Sequence, residues 1–100
     1  MAHSDVEYEV RVANLYKVEA KLPGQDLFNG TNVMTGDSVT IKLEPADANH
    51  KSDGTQGHLI REARLLKELK DTDGFPRFLW YGVEGDFNVL VCEKMTGVNL

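Results

Sequence analysis

From Leu15 to Leu22 the chain alternates Leu15, Lys17, Glu19 and Lys21 against Tyr16, Val18, Ala20 and Leu22, which predicts a strand whose buried face is the second set. Leu22-Pro23-Gly24-Gln25 places Pro and Gly at the centre of a type II turn, so a tight hairpin follows. The return strand runs from Asp26 to Val33 and ends in the turn residues Met34-Thr35-Gly36-Asp37. A third strand spans Ser38 to Leu43, where Val39-Thr40-Ile41 has strong β-propensity. Glu44 to Gly57, with Pro45, Asn49, Ser52, Asp53-Gly54 and Gly57, reads as a loop. His58 to Lys70 then places Leu59, Ala63, Leu66 and Leu69 on one helical stripe, ended by Asp71-Thr72-Asp73-Gly74-Phe75-Pro76. Strands at Arg77 to Tyr81 and Phe87 to Cys92 are joined through Gly82-Val83-Glu84-Gly85-Asp86. Met1 to Arg11 is polar and acidic with little pattern, and adds at most a strand residue or two near Val10 and Val12.

A length of 100 residues, 41% hydrophobic and 27% charged, suits one packed α+β domain. The formal charge of −5 at pH 7 argues against nucleic acid or an anionic membrane as partner, since both reward clustered Lys and Arg. The longest apolar run, Phe87 to Cys92, is broken by Asn88 and falls far short of the roughly 20 residues of a membrane span. The lone Cys92 has no disulfide partner in the chain and no secretory leader pattern stands at the N-terminus, so a cytoplasmic or nuclear setting is expected. His3, His50, His58 and Cys92 lack the close spacing of a metal site. Arg61, Arg64, Lys67 and Lys70 form a basic stripe on the helix, a solvated face or, alternatively, a contact for phosphate or an acidic peptide.

Glu62 lies four residues before Leu66 and seven before Leu69, so its carboxylate points with the apolar stripe. An unpaired buried charge is costly, and Lys42, on the strand expected to face the helix, is the natural partner. That reading makes the two a buried structural ion pair. In the other reading Glu62 sits at the edge of the stripe and reaches water.

Val39-Thr40-Ile41-Lys42-Leu43-Glu44 resembles the V-A-I-K strand of protein kinases with the Leu-Glu continuation of the casein kinase I family, and Leu65-Leu66-Lys67 follows Glu62 as in that family's αC helix. Val12-Ala13-Asn14-Leu15-Tyr16-Lys17-Val18 is similar to the start of the same kinase domain. Gly74-Phe75-Pro76, Trp80-Tyr81-Gly82 and Glu84-Gly85-Asp86-Phe87-Asn88-Val89-Leu90-Val91 are similar to its fourth and fifth strands. The resemblance implies a protein-kinase N-lobe over residues 12–97: a five-stranded antiparallel sheet with one αC-type helix, in the order β-β-β-α-β-β. Residues 1–11 would be a flexible leader and 98–100 a tail. It also implies that Lys42 is the lysine that holds ATP phosphates, Glu62 its partner, Thr40 the floor under adenine, Cys92 the gatekeeper, and Glu93, Lys94 and Met95 the hinge.

Departures from the family pattern bear on function. Where a G-x-G-x-x-G loop would cover the phosphates, only Pro23-Gly24-Gln25 remains, and Thr40 replaces a small Ala against adenine. The chain carries no H-R-D and no D-F-G, whose Asp and Asn residues orient the hydroxyl and hold Mg²⁺. The expectation is therefore a non-catalytic, pseudokinase-type interaction module with a vestigial ATP site and no cofactor. The alternative is the ATP–Mg-binding part of a serine/threonine kinase, truncated or completed by a separate lobe. Apolar surface near Phe87 to Leu100, with a free edge on the last strand, is expected to take a protein partner or a second copy.

Overall fold

The computed structural model describes residues 10–24, 27–46, 57–70 and 72–94. The elements in chain order are β1 (Arg11–Val12), β2 (Tyr16–Lys21), β3 (Leu27–Asn32), β4 (Ser38–Pro45), α1 (His58–Glu68), β5 (Phe78–Glu84) and β6 (Phe87–Glu93). They form one antiparallel sheet in the order β1-β2-β3-β4-β6-β5. The sheet curls toward closure: the Ala13 N–H, just after β1, donates to Glu84 Oε2 at the end of β5 at 3.0 Å.

This corrects the expected five-stranded sheet with one αC-type helix. The sheet has six strands and is barrel-like, because Arg11–Val12 folds back onto β2 in the register Arg11↔Lys17 and Val12↔Tyr16. The reversal places Ala13 at φ 54° and Asn14 at φ 57°, with the Leu15 N–H donating to Val12 O at 3.0 Å. Two consecutive residues at positive φ reverse the chain within the three-residue connection 13–15, and Ala is a residue rarely found at positive φ. Asn14 suits such a position, but Ala13 beside it carries no turn signal in the sequence. The helix is short as well: Leu69, at φ −90° and ψ 14°, has left helical geometry, and the buried stripe is Leu59, Ala63 and Leu66 alone.

Other departures are local. Tyr16 is buried as expected, but Val18 and Leu22 are half-buried and Ala20 is exposed, because the pairing with β3 shifts between Val18 and Lys21 and turns the outer half of β2. The Pro23-Gly24 turn is present, with Gly24 at φ +74° and the Leu22 N–H donating to Leu27 O at 2.8 Å. At the other hairpin β5 continues to Glu84, which pairs with Phe87, so the connection shrinks to Gly85-Asp86.

Period-two alternation sends β4 and β6 side chains to two different cores. Val39, Ile41, Val89 and Val91 point into the curl of the sheet with Val12 and Tyr16. Leu90 and Cys92 point the other way, under Leu59, Ala63 and Leu66 of α1, with Phe78 and Tyr81 beside them. β6 is thus covered on both faces, and Asn88 through Cys92 are all buried. It also lies between β4 and β5, so the free edge expected on the last strand does not exist. Among the described residues no helix is long and apolar enough to cross a membrane.

Candidate functional site

On the helix-facing side of the sheet, cross-strand partners share a face. Thr40 of β4 stands opposite Asn29 of β3 and Cys92 of β6, and Lys42 opposite Leu27 and Leu90. Asn29, Thr40, Lys42 and Cys92 therefore line one cavity of about 250 Å³. Glu62 of α1 closes one wall; Leu22, Pro76, Glu93 and Lys94 complete it. The cavity is somewhat smaller than the roughly 300–1,000 Å³ usual for sites that enclose a drug-sized ligand.

Lys42 Nζ donates to Glu62 Oε2 at 2.6 Å, which makes the expected ion pair real. Its setting differs from the expectation. The two side chains are 38% and 33% exposed, so the pair is not a buried structural bridge: its charges open onto the cavity and stay in contact with water. Both sequence readings of Glu62 hold in part, since the side chain sits at the edge of the stripe and also meets Lys42. Water screens the pair, and an exposed pair contributes under about 1 kcal/mol. A double-mutant cycle of Lys42→Met and Glu62→Leu, read by urea unfolding, is expected to return a coupling below about 1 kcal/mol, and Lys42→Ala alone is expected to cost less than the roughly 2–4 kcal/mol that a buried pair implies. A coupling above about 2 kcal/mol would mean that the pair is desolvated.

Cys92 forms part of the inner wall and is 6% exposed. Burial pushes its thiol up to about 11; the Glu62 carboxylate adds to the shift and the Lys42 ammonium partly opposes it. At neutral pH the thiol is protonated, so it contributes bulk and apolar surface and no nucleophile. Thr40 is half-buried on the cavity wall. Glu93 and Lys94 are exposed, and their N–H groups are taken by Arg77 O at 2.9 Å and Ser38 O at 3.3 Å. Met95, expected in the hinge, lies outside the described residues. The structure thus brings together Thr40, Lys42, Glu62, Cys92 and Glu93.

Two residues that hold α1 next to the site escaped the sequence reading. Glu44, the next helix-facing residue after Lys42 on β4, accepts the His58 N–H at 3.1 Å and the Leu59 N–H at 3.4 Å on Oε1. Its Oε2 accepts Asn88 Nδ2 at 3.0 Å. Gly57, the N-cap of α1, supplies no side-chain cap, and the carboxylate from β4 takes that role. The signal available was the alternation Thr40, Lys42, Glu44 on a strand already known to face the helix; assigning Glu44 to a loop hid it. Asn88 was legible as an interruption in an apolar run and as part of the segment similar to the family's fifth strand, with no sign of its contact to Glu44.

Among the described residues no group of three or more His, Cys, Asp or Glu side chains is placed to hold a metal ion. A comparison with known protein families finds none that matches the chain.

Proposed function

We propose that the chain is a non-catalytic interaction module related to the ATP-binding part of casein kinase I, its cavity a nucleotide site that has lost its phosphate cover. The observation that carries this reading is the β2–β3 hairpin. The Leu22 N–H donates to Leu27 O at 2.8 Å, so β2 and β3 stay paired up to the Pro23-Gly24 turn, and only a short connection is left where a phosphate-covering loop would stand. Lys42, the residue that the resemblance assigns to the phosphates, is already engaged by Glu62. Phosphoryl transfer depends almost wholly on positioning and charge neutralisation, and Pro23-Gly24-Gln25 lacks the glycine-rich pattern that wraps the phosphates in kinases.

The function left to such a module is contact with another protein, either a partner or a second copy. Of the expected surface near Phe87 to Leu100, the described part offers Phe87, 45% exposed, with Glu93 and Lys94 at the far end of β6; residues 95–100 lie outside the described residues. Val10, 59% exposed, lines the same open end of the sheet as Phe87 and extends that apolar surface.

A second reading, the ATP-binding part of a longer serine/threonine kinase, is favoured by the openness of the Lys42–Glu62 pair to the cavity, where a ligand can reach both charges. Calorimetric titration with ATP–Mg²⁺ separates the two. The module is expected to show no dissociation constant below about 1 mM, equivalent to only roughly 4 kcal/mol of binding free energy. Low-micromolar binding overturns it in favour of the second reading. Light scattering on the same sample at roughly 100 μM is expected to report a dimer or, with native extract added, a complex; a strict monomer with no recovered partner counts against the interaction role.

A further inference from the structure

The apolar underside of α1, formed by Leu59, Ala63 and Leu66, rests on β6 and β5 through Leu90, Cys92, Phe78 and Tyr81. Apolar burial is non-directional, so by itself it tolerates small slides and rotations of a three-turn helix. Directional attachments come from β4. Lys42 Nζ meets Glu62 Oε2 at 2.6 Å in the body of the helix, and Glu44 Oε1 meets the N–H groups of His58 and Leu59 at its start. Lys42 and Glu44 are two residues apart on the strand, about 7 Å, close to the rise of one helical turn of about 5.4 Å that separates their targets. The strand therefore fixes the helix at two points along its length.

The second point has a buried anchor that the first lacks. Lys42 and Glu62 are both about one-third exposed, whereas Asn88, the cross-strand neighbour of Glu44, is fully buried and donates to Glu44 Oε2 at 3.0 Å. We propose that Glu44, held by Asn88, is the positioning residue for α1, and that it sets the Lys42–Glu62 contact in the cavity wall. The role goes beyond the proposed function and stands whether or not the cavity takes a nucleotide.

The test uses the full chain and reads the Lys42–Glu62 contact directly, as NMR cross-peaks between the Lys42 ε-protons and the Glu62 γ-protons. Glu44→Asp keeps the charge but retracts the carboxylate by one methylene; it is expected to raise amide exchange at His58 and Leu59 about tenfold and to abolish the cross-peaks. Glu44→Gln keeps an oxygen for the helix N–H groups but loses the acceptor for Asn88, and is expected to cut the cross-peaks by about half. Arg61→Gly, on the exposed face of the same helix, weakens α1 without touching the clamp and is expected to leave the cross-peaks intact. The cross-peaks at wild-type strength in whichever Glu44 variant folds, or lost equally in Arg61→Gly, would overturn the positioning role.

Discussion

Gly30→Ala is expected to cost about 3 kcal/mol of stability, read as a large fall in the urea midpoint at an unchanged slope. Gly30 sits in the middle of β3, paired with Val18 on one side and Val39 on the other. A Cβ there would come within 2.6 Å of Ile41 Cδ1, 2.7 Å of the Lys17 carbonyl oxygen and 3.2 Å of Val39 Cγ2. Ile41 is fully buried inside the curl, and the Lys17 carbonyl belongs to the neighbouring strand, so neither can retreat without repacking the core or opening the β2–β3 pairing. A domain of this size has about 5–15 kcal/mol in all, and one methyl group removes a substantial share of it. Gly36→Ala is the control: the position has open space but φ +81°, so only backbone strain of about 1 kcal/mol is expected. Equal midpoints for the Gly30 variant and the parent would show that the sheet does not curl tightly at this point.

Val91→Asp is expected to abolish cooperative folding at neutral pH. Val91 lies within Phe87 to Leu100, the stretch where the sequence pattern leads one to expect a partner surface, and on such a surface a charge would only weaken assembly. In the structure it is 0% exposed, between Val39, Ile41 and Val89 on the inner face of the sheet. A carboxylate there has no partner in the apolar cluster, and desolvation raises its folded-state pKa above the unfolded value of about 3.9. The sign follows from linkage: the folded state then binds more protons than the unfolded one, so the penalty grows as pH rises above the unfolded value and shrinks as pH falls toward it. Circular dichroism is expected to find more native structure at about pH 4.5 than at pH 7. A variant that stays folded at pH 7 and merely changes its oligomeric state would return Val91 to the surface.

The sequence was sufficient wherever a structural decision is local. Val39-Thr40-Ile41, the Pro23-Gly24 turn and the Leu59-Ala63-Leu66 stripe each carry their own period or turn chemistry, and the structure has a strand, a turn and a helix there. The Lys42–Glu62 contact was also legible, because a charge that shares a stripe with leucines demands a partner and the facing strand offered one lysine. What escaped depends on groups far apart in the chain. The additional strand, β1, rests on Ala13 held at positive φ, a strain local propensity argues against and which the β1–β2 pairing and the Glu84 carboxylate, 71 residues away, sustain. The burial of Val91 and the absence of an edge on β6 follow from strand order, because β5 returns to the outside of β6, and no periodicity within one strand states which neighbours flank it. The exposure of the ion pair is likewise a property of the cavity built by β3, β4, β6 and α1 together. Sequence pattern determined which residues form strand, turn and helix, because those choices turn on short-range sterics and side-chain period; tertiary structure alone decided closure, strand neighbours and solvent access, because they depend on where distant chain segments end up.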